Sequence, residues 1–163
     1  MDASWSAEEL DRRLADLGTP VTRLVSVAAL DLGDGARLEA LSTSPRGAVL
    51  LVEWHGFRAL LPVGMNFDTL AELENGEKVG SVTALLLADS GYAALNPPEW
   101  LRALRPQVVI LSVAAGDPDG LPDQTVLDGL DSLTGITLLR TDRNGWIELT
   151  TDGEGLWVEA ERK

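Results

Sequence analysis

The densest set of side chains that could do chemistry is Asp117-Pro118-Asp119-Gly120 with Asp123. Oxygen ligands of this kind suit calcium or magnesium, but the run lacks the later bidentate glutamate of a calcium loop. It reads as a solvated acidic turn, with Asp123 placed to cap the helix that follows. A second candidate, Asp89-Ser90-Gly91, follows an apolar run, in the kind of loop that commonly carries function. Serine becomes a nucleophile only beside a positioned base. The one imidazole, His55, sits in a hairpin turn, so Ser90 is expected to serve a turn or cap. Gly33-Asp34-Gly35 has the look of a phosphate loop, yet such a loop opens a helix and carries further glycines. Here β patterns flank it on both sides, and turn geometry is the expected use. Five tryptophans, Trp5, Trp54, Trp100, Trp146 and Trp157, outnumber Phe and Tyr together. Trp100 is expected in the core and the others in core or rim packing, with Trp54, Trp146 and Trp157 placed where an aromatic ring could stack on a partner.

Composition removes several other chemistries. The chain has 163 residues, 13 basic and 26 acidic, a formal charge of −13, one histidine and no cysteine. A thiolate zinc site, a disulfide framework and a cysteine nucleophile are therefore excluded, as is a multi-histidine metal centre. With 45% apolar and 24% charged residues the chain reads as globular, and its length suits one domain that needs no staple to fold. The negative charge opposes a nucleic-acid partner, because the few basic residues do not gather on one stretch. Arg12 and Arg13, Arg102 and Arg105, and Arg140 and Arg143 each lie near acids such as Asp11, Glu99 and Asp142. The longest apolar stretch, Val82 to Ala88, falls far short of the roughly 20 residues of a membrane span. The N-terminus has neither the basic start nor the apolar core of a signal peptide, so the expectation is a soluble chain.

The elements that must position these groups follow from pattern. Ser6-Ala7-Glu8-Glu9 opens a short amphipathic helix to Leu17, stopped by Gly18, with Leu10, Leu14 and Leu17 on one side. Residues 1–24 form this helix and a lead-in, and 25–163 form the main domain. Strands are expected at Val25 to Leu32 and Ala36 to Leu41, and at Ala48 to Trp54 and Phe57 to Leu61. The turns are Gly33-Asp34-Gly35 and His55-Gly56, with Ser42 to Gly47 as the loop between the hairpins. Helix then alternates with strand. Asn66 to Leu73 is helical, Val82 to Leu87 a buried strand, Asn96 the N-cap of a helix carrying Trp100, Leu101 and Leu104, Val108 to Val113 another buried strand, and Asp123 to Leu133 a helix. Three strands end the chain, Ile136 to Arg140, Trp146 to Thr150 and Leu156 to Glu161, with hairpin signals at Asn144-Gly145 and Asp152-Gly153. Hairpins, then βαβα, then a three-stranded meander make a mixed α/β architecture.

An ordered set of segments carries a family resemblance. Leu30-Asp31-Leu32-Gly33-Asp34-Gly35, Leu60-Leu61-Pro62-Val63-Gly64, Leu85 to Gly91, Pro98-Glu99-Trp100-Leu101, Leu104 to Val113, Leu121-Pro122 and Arg140-Thr141-Asp142-Arg143-Asn144-Gly145 follow one another between Val25 and Val158. Together they resemble the distal part of the metallo-β-lactamase-fold domain at the C-terminal end of ComEC-type competence proteins. The resemblance implies a sandwich of two sheets flanked by helices. It also implies a two-metal site, of zinc or manganese, that hydrolyses phosphodiester or related bonds with a metal-bound hydroxide.

The ligands that the resemblance implies can be checked position by position. The His-x-His-x-Asp-His motif is absent, since His55 is the only histidine. The aspartate expected after the strand-end glycine near Gly64 is Met65, the His-His-Gly-Ser signature is Asp89-Ser90-Gly91-Tyr92, and the Gly-His-Pro histidine is Leu121. Only Asp89 keeps an oxygen donor; thioether and leucine do not replace carboxylate or imidazole on such cations. Met65, Asp89, Ser90 and Leu121 are thus vestigial ligand positions, and no catalytic, cofactor-binding or metal-binding residue is expected. The expectation is a degenerate, non-catalytic domain related to DNA-uptake proteins, acting as a structural or binding module without a cofactor. The alternative is a metal-dependent phosphodiesterase or nuclease whose ligands come from an upstream segment or another subunit. Because the missing motif would lie upstream, the chain is expected to be a distal piece of such a domain, from a bacterial membrane-associated competence protein, or a reduced relative. It would leave a sheet edge and an apolar face open, to be covered by a second copy or by the missing half-domain.

Overall fold

The structure, a computed structural model, describes residues 6–21 and 28–162. The boundary expected at residue 24, the first residues of the strand expected from Val25, and Trp5 lie outside that range. Helix α1 (Ala7–Asp16) begins where the Ser6 hydroxyl accepts the Glu9 N–H at 3.2 Å. Its apolar stripe stays on the surface, with Leu10 and Leu17 both exposed.

Four antiparallel strands follow: β1 (Ala29–Gly33), β2 (Ala36–Ser44), β3 (Gly47–Trp54) and β4 (Phe57–Val63). Both expected hairpin turns are present, each with a non-glycine residue at positive φ, Asp34 and His55. The loop expected over Ser42 to Gly47 shrinks to Pro45-Arg46, because β2 runs on through Ser44 after a bulge between Ala40 and Ser42. That bulge turns the Ser42 hydroxyl inward to donate to Glu72 at 2.6 Å. Strands β5 (Ala84–Leu86), β6 (Val108–Leu111) and β7 (Thr137–Arg140) then add in parallel, so that one seven-stranded sheet has the order β1-β2-β3-β4-β5-β6-β7.

The crossovers are helices α2 (Phe67–Glu72), α3 (Pro98–Leu104) and α4 (Gln124–Asp131). A reciprocal box between Asn66 and Thr69 opens α2. Each crossover steps in the same direction along the sheet, and right-handed crossovers that never reverse put every helix on one face. The core lies between that face and the helices: Val49, Leu51, Leu60, Leu85, Val109 and Leu111 from the strands meet Trp100, Leu101, Leu104, Val126 and Leu130 from α3 and α4.

Alternation along the strands sends the intervening residues to the other face. In register these are Leu38 and Ala40 of β2, Leu50 and Val52 of β3, Ala59 and Leu61 of β4, Ala84 and Leu86 of β5, Val108 and Ile110 of β6, and Leu139 of β7. Thr137 of β7, in register with Val108, shares this face. Leu38, Leu50, Val52, Leu61, Leu86 and Ile110 are partly exposed, while Ala40, Ala59, Ala84 and Val108 are buried.

The expected three-stranded meander at the end of the chain is not formed. β7 pairs only with β6, while β8 (Ile147–Thr151) and β9 (Leu156–Ala160) make a separate two-stranded sheet. Asn144-Gly145 is not a hairpin turn, because Thr141–Asn144 winds into a single helical turn, α5. The Asn144 side chain closes it, accepting the Arg140 N–H at 2.8 Å and donating to the Arg162 carbonyl at 3.1 Å. The β8–β9 tip meets the β3–β4 turn, where the Gly56 N–H donates to the Gly153 carbonyl at 3.1 Å. Among the described residues no helix is long and apolar enough to cross a membrane.

Candidate functional site

Loops at the carboxyl ends of parallel strands are where ligands of open α/β sheets bind. In this chain the loops after β4, β5, β6 and β7 all leave the same end of the sheet, and the β2–β3 turn joins them because β3 is antiparallel to β4. Topology therefore gathers Met65, Asp89, Ser90 and Leu121 at one end, together with Arg46. His55 is at the opposite end, in the β3–β4 turn, exposed and with its ring 5.1 Å from that of Trp54. Ser90 has no base from that quarter, and its expected turn role agrees with its backbone.

The loop after β5 is the most constrained segment at this end. Asp89 and Ser90 both have left-handed backbones, φ 44° and 53°, and Gly91 follows at 83°. Consecutive non-glycine residues in this region persist only where their surroundings over-determine them. Asn96 does this. Its side chain, 2% exposed, accepts the Ala88 N–H at 3.0 Å and donates to the Ala88 carbonyl at 2.9 Å and the Tyr92 carbonyl at 2.7 Å. Asn96 was expected as the N-cap of α3; Pro97 takes that position, and the Asn96 amide instead ties its own loop back to the end of β5.

Asp123 and Asp117 are similarly occupied. Asp123 stands at the N-cap position of α4, but its carboxylate caps no α4 amide and accepts the Ala93 N–H at 2.6 Å. Asp117 accepts the Asp119 N–H at 3.0 Å and the Leu121 N–H at 3.3 Å, which makes the acidic stretch a self-bonded turn. The Asp89 carboxylate faces outward and pairs with Arg46 at 3.2 Å. Met65 is 2% exposed and belongs to the core cluster, against which Leu121 also packs.

These residues do not fit a two-cation centre. One position offers a carboxylate already paired with a guanidinium, two offer no oxygen or nitrogen donor, and Ser90 is a neutral hydroxyl. Among the described residues no group of three His, Asp or Glu side chains could hold a metal ion.

The segment Arg140-Thr141-Asp142 closes the end of the sheet. The Thr141 hydroxyl accepts the Val113 N–H and donates to the Val113 carbonyl, both at 2.9 Å, stitching the loop after β6 to the end of β7. Arg140 grips Asp142 with two parallel bonds, Nε to Oδ1 at 3.0 Å and Nη2 to Oδ2 at 2.7 Å. The side chains are only 11% and 15% exposed. The sequence places Arg140 and Asp142 only as neighbouring opposite charges; the bidentate pair forms where Thr141–Asn144 winds into a helical turn in place of the expected hairpin.

The bond from Arg140, with the charges of Arg140 and Arg143, holds the Asp142 carboxyl below its ordinary range against the opposing effect of burial. A carboxyl more acidic in the folded than in the unfolded state stabilises the fold above its unfolded pKa. That stabilisation is lost as pH falls through the folded value. Asp142→Asn is therefore expected to lower stability by about 1–3 kcal/mol at pH 7. The gap to the parent chain should begin to narrow below about pH 4 and close only once the pH is below the folded value. Urea titrations at pH 7 and pH 3 check this, and a gap that stays constant would contradict it.

Two tryptophan placements bear on surfaces. Trp100 is fully buried as expected, while Trp146 and Trp157 are 53% and 54% exposed. Trp54 donates its indole N–H to the Asp34 carbonyl at 3.0 Å, tying the β3–β4 turn to the β1–β2 turn. Compared with known proteins, the chain matches no protein-family model and no curated protein.

Proposed function

We propose that this chain is a degenerate metallo-β-lactamase-type domain, related to those of DNA-uptake competence proteins, that works as a binding or structural module rather than as a hydrolase. The observation that carries the reading is the state of the four vestigial positions at one end of the sheet. Asp89 is paired with Arg46, Met65 is enclosed in the core, Leu121 packs against it, and the one imidazole, His55, lies at the opposite end of the sheet from Ser90. A hydroxide-generating pair of cations needs several anionic or imidazole donors converging on one space. A sheet with helices on one side and mostly apolar residues on the other supports this reading, since each half of a two-sheet sandwich is built this way.

The test is hydrolysis. With zinc or manganese added, the purified chain is expected to cleave neither bis-p-nitrophenyl phosphate nor linear DNA above the metal-only background. Cleavage that is abolished by Asp89→Ala would overturn the reading in favour of a metal-dependent phosphodiesterase.

A further inference from the structure

The β8–β9 ribbon presents two unlike faces. By register and alternation Ile147, Leu149 and Leu156 share an inner, half-buried face, while Glu148, Thr150, Trp157 and Glu159 lie on the outer one. Trp146 and Glu161 extend the outer face by one more rung, joined by the bond from the Glu161 N–H to the Trp146 carbonyl at 3.1 Å. All six outer residues are exposed, the two tryptophans at 53% and 54%. Rings of this size packed on another element would lose most of that surface. From this we infer that the outer face of the ribbon is a docking surface for an extended, arginine- or lysine-rich segment of another protein. The inference names a partner for the binding module proposed above and rests on that reading.

Three observations select that partner. The first is the pair of tryptophans, one at either end of the face. A guanidinium or ammonium laid over an indole is held by the negative charge of the ring face. The second is charge. Between the indoles Glu148 stands directly opposite Glu159, and Glu161 faces Trp146 one rung along. Like charges placed opposite one another weaken a strand pair. Among the described residues none of the three carboxylates has an ion pair or a side-chain hydrogen bond to relieve this. A cation arriving at the face therefore removes a repulsion as well as gaining an attraction. The third is spacing. Strand residues rise about 3.4 Å each, so the three rungs, Trp146 with Glu161, Glu148 with Glu159, and Thr150 with Trp157, are about 7 Å apart. Alternate side chains of an extended peptide laid along the ribbon repeat at the same interval, so cations two residues apart meet successive rungs. The same carboxylates repel nucleic acid, and a second copy of a chain at −13 is repelled as well.

Fluorescence anisotropy with a labelled twelve-residue peptide of alternating arginine and threonine, in 0.15 M sodium chloride, tests this. The full chain is expected to bind the peptide, and the double variant Glu148→Gln, Glu159→Gln to bind it at least about tenfold more weakly. A control pair that changes the net charge equally, Glu77→Gln with Asp131→Asn, should lose less than about twofold, since both residues are exposed and outside the ribbon. Trp157→Ala, which alters no charge, should cost about fivefold or more. Thr150→Arg leaves the tryptophans and carboxylates in place yet puts a cation on the face, and it should weaken binding as much as the double variant. It carries the test if the double variant loses its circular dichroism signal. Equal losses in the ribbon and control variants would reveal attraction to the acidic chain as a whole and overturn the surface. Binding of cellohexaose, with no affinity for the peptide, would overturn the choice of a cationic partner. A chain that binds no peptide and cleaves no phosphodiester leaves the module reading standing while the choice of partner fails; metal-dependent cleavage by a chain that binds the peptide would sink the module reading and leave the docking surface intact.

Discussion

Replacing Asn96 with leucine is expected to destabilise the protein by about 3–5 kcal/mol, because it leaves several backbone groups without partners while hardly changing the side-chain volume. The Asn96 amide satisfies the Ala88 N–H and carbonyl and the Tyr92 carbonyl, all from one buried position. Leucine fills the space and bonds none of them. Each unsatisfied buried group costs about 1–3 kcal/mol, and the partly buried Tyr92 carbonyl recovers some of this from water. The left-handed backbone of Asp89 and Ser90 is held by the same amide, so the loop after β5 should relax as well. Urea denaturation reads the loss as a lower midpoint at unchanged slope. A change under about 1 kcal/mol would mean that the loop has another way to satisfy these groups.

Gly91→Val is the second large effect. Gly91 has φ +83°, and a Cβ built on it would lie 2.8 Å from the Pro122 Cβ and 3.0 Å from the Leu111 Cδ1. The left-handed conformation costs an L-residue about 1–2 kcal/mol, and forcing extra methyl groups into a packed site adds about 1–3. A total of about 2–5 kcal/mol is therefore expected, again from urea titration. Gly116→Ala separates the two causes. Gly116 has φ +69° but open space around its Cβ position, so only the conformational cost, about 1 kcal/mol, should appear. Equal losses at both positions would show that packing against Pro122 contributes nothing.

Much of the fold was legible because its signals are local. The Ser6 cap, the short helix expected from Asn66, the glycine-bearing turns at 33–35 and 55–56, and the apolar runs that became β5 and β6 depend on neighbours within a few residues. The misreadings share an opposite cause. Asn96 looked like a helix cap because its sequence neighbours are Pro97 and Pro98, yet its partners lie up to eight residues back, across the loop. Asn144-Gly145 carried a hairpin signal, but Arg140 and Arg162 claimed the asparagine side chain from both directions. Ser42 to Ser44 looked like loop, and only the cross-strand register and the Glu72 carboxylate make it strand.

The site was legible as four positions and not as a place. That Met65, Asp89, Ser90 and Leu121 share one end of the sheet depends on the parallel order of β4 to β7. The Arg46 to Asp89 pair joins residues 43 apart. The one-sided distribution of helices is likewise a consequence of strand order. Both facts are properties of topology, which composition and periodicity do not specify.

Cation binding by the purified chain tests the central claim most directly. Equilibrium dialysis against zinc and against manganese at micromolar concentrations, followed by elemental analysis, is expected to leave no stoichiometric metal on the protein. Two ions retained per chain, both released by Asp89→Ala, would contradict the account.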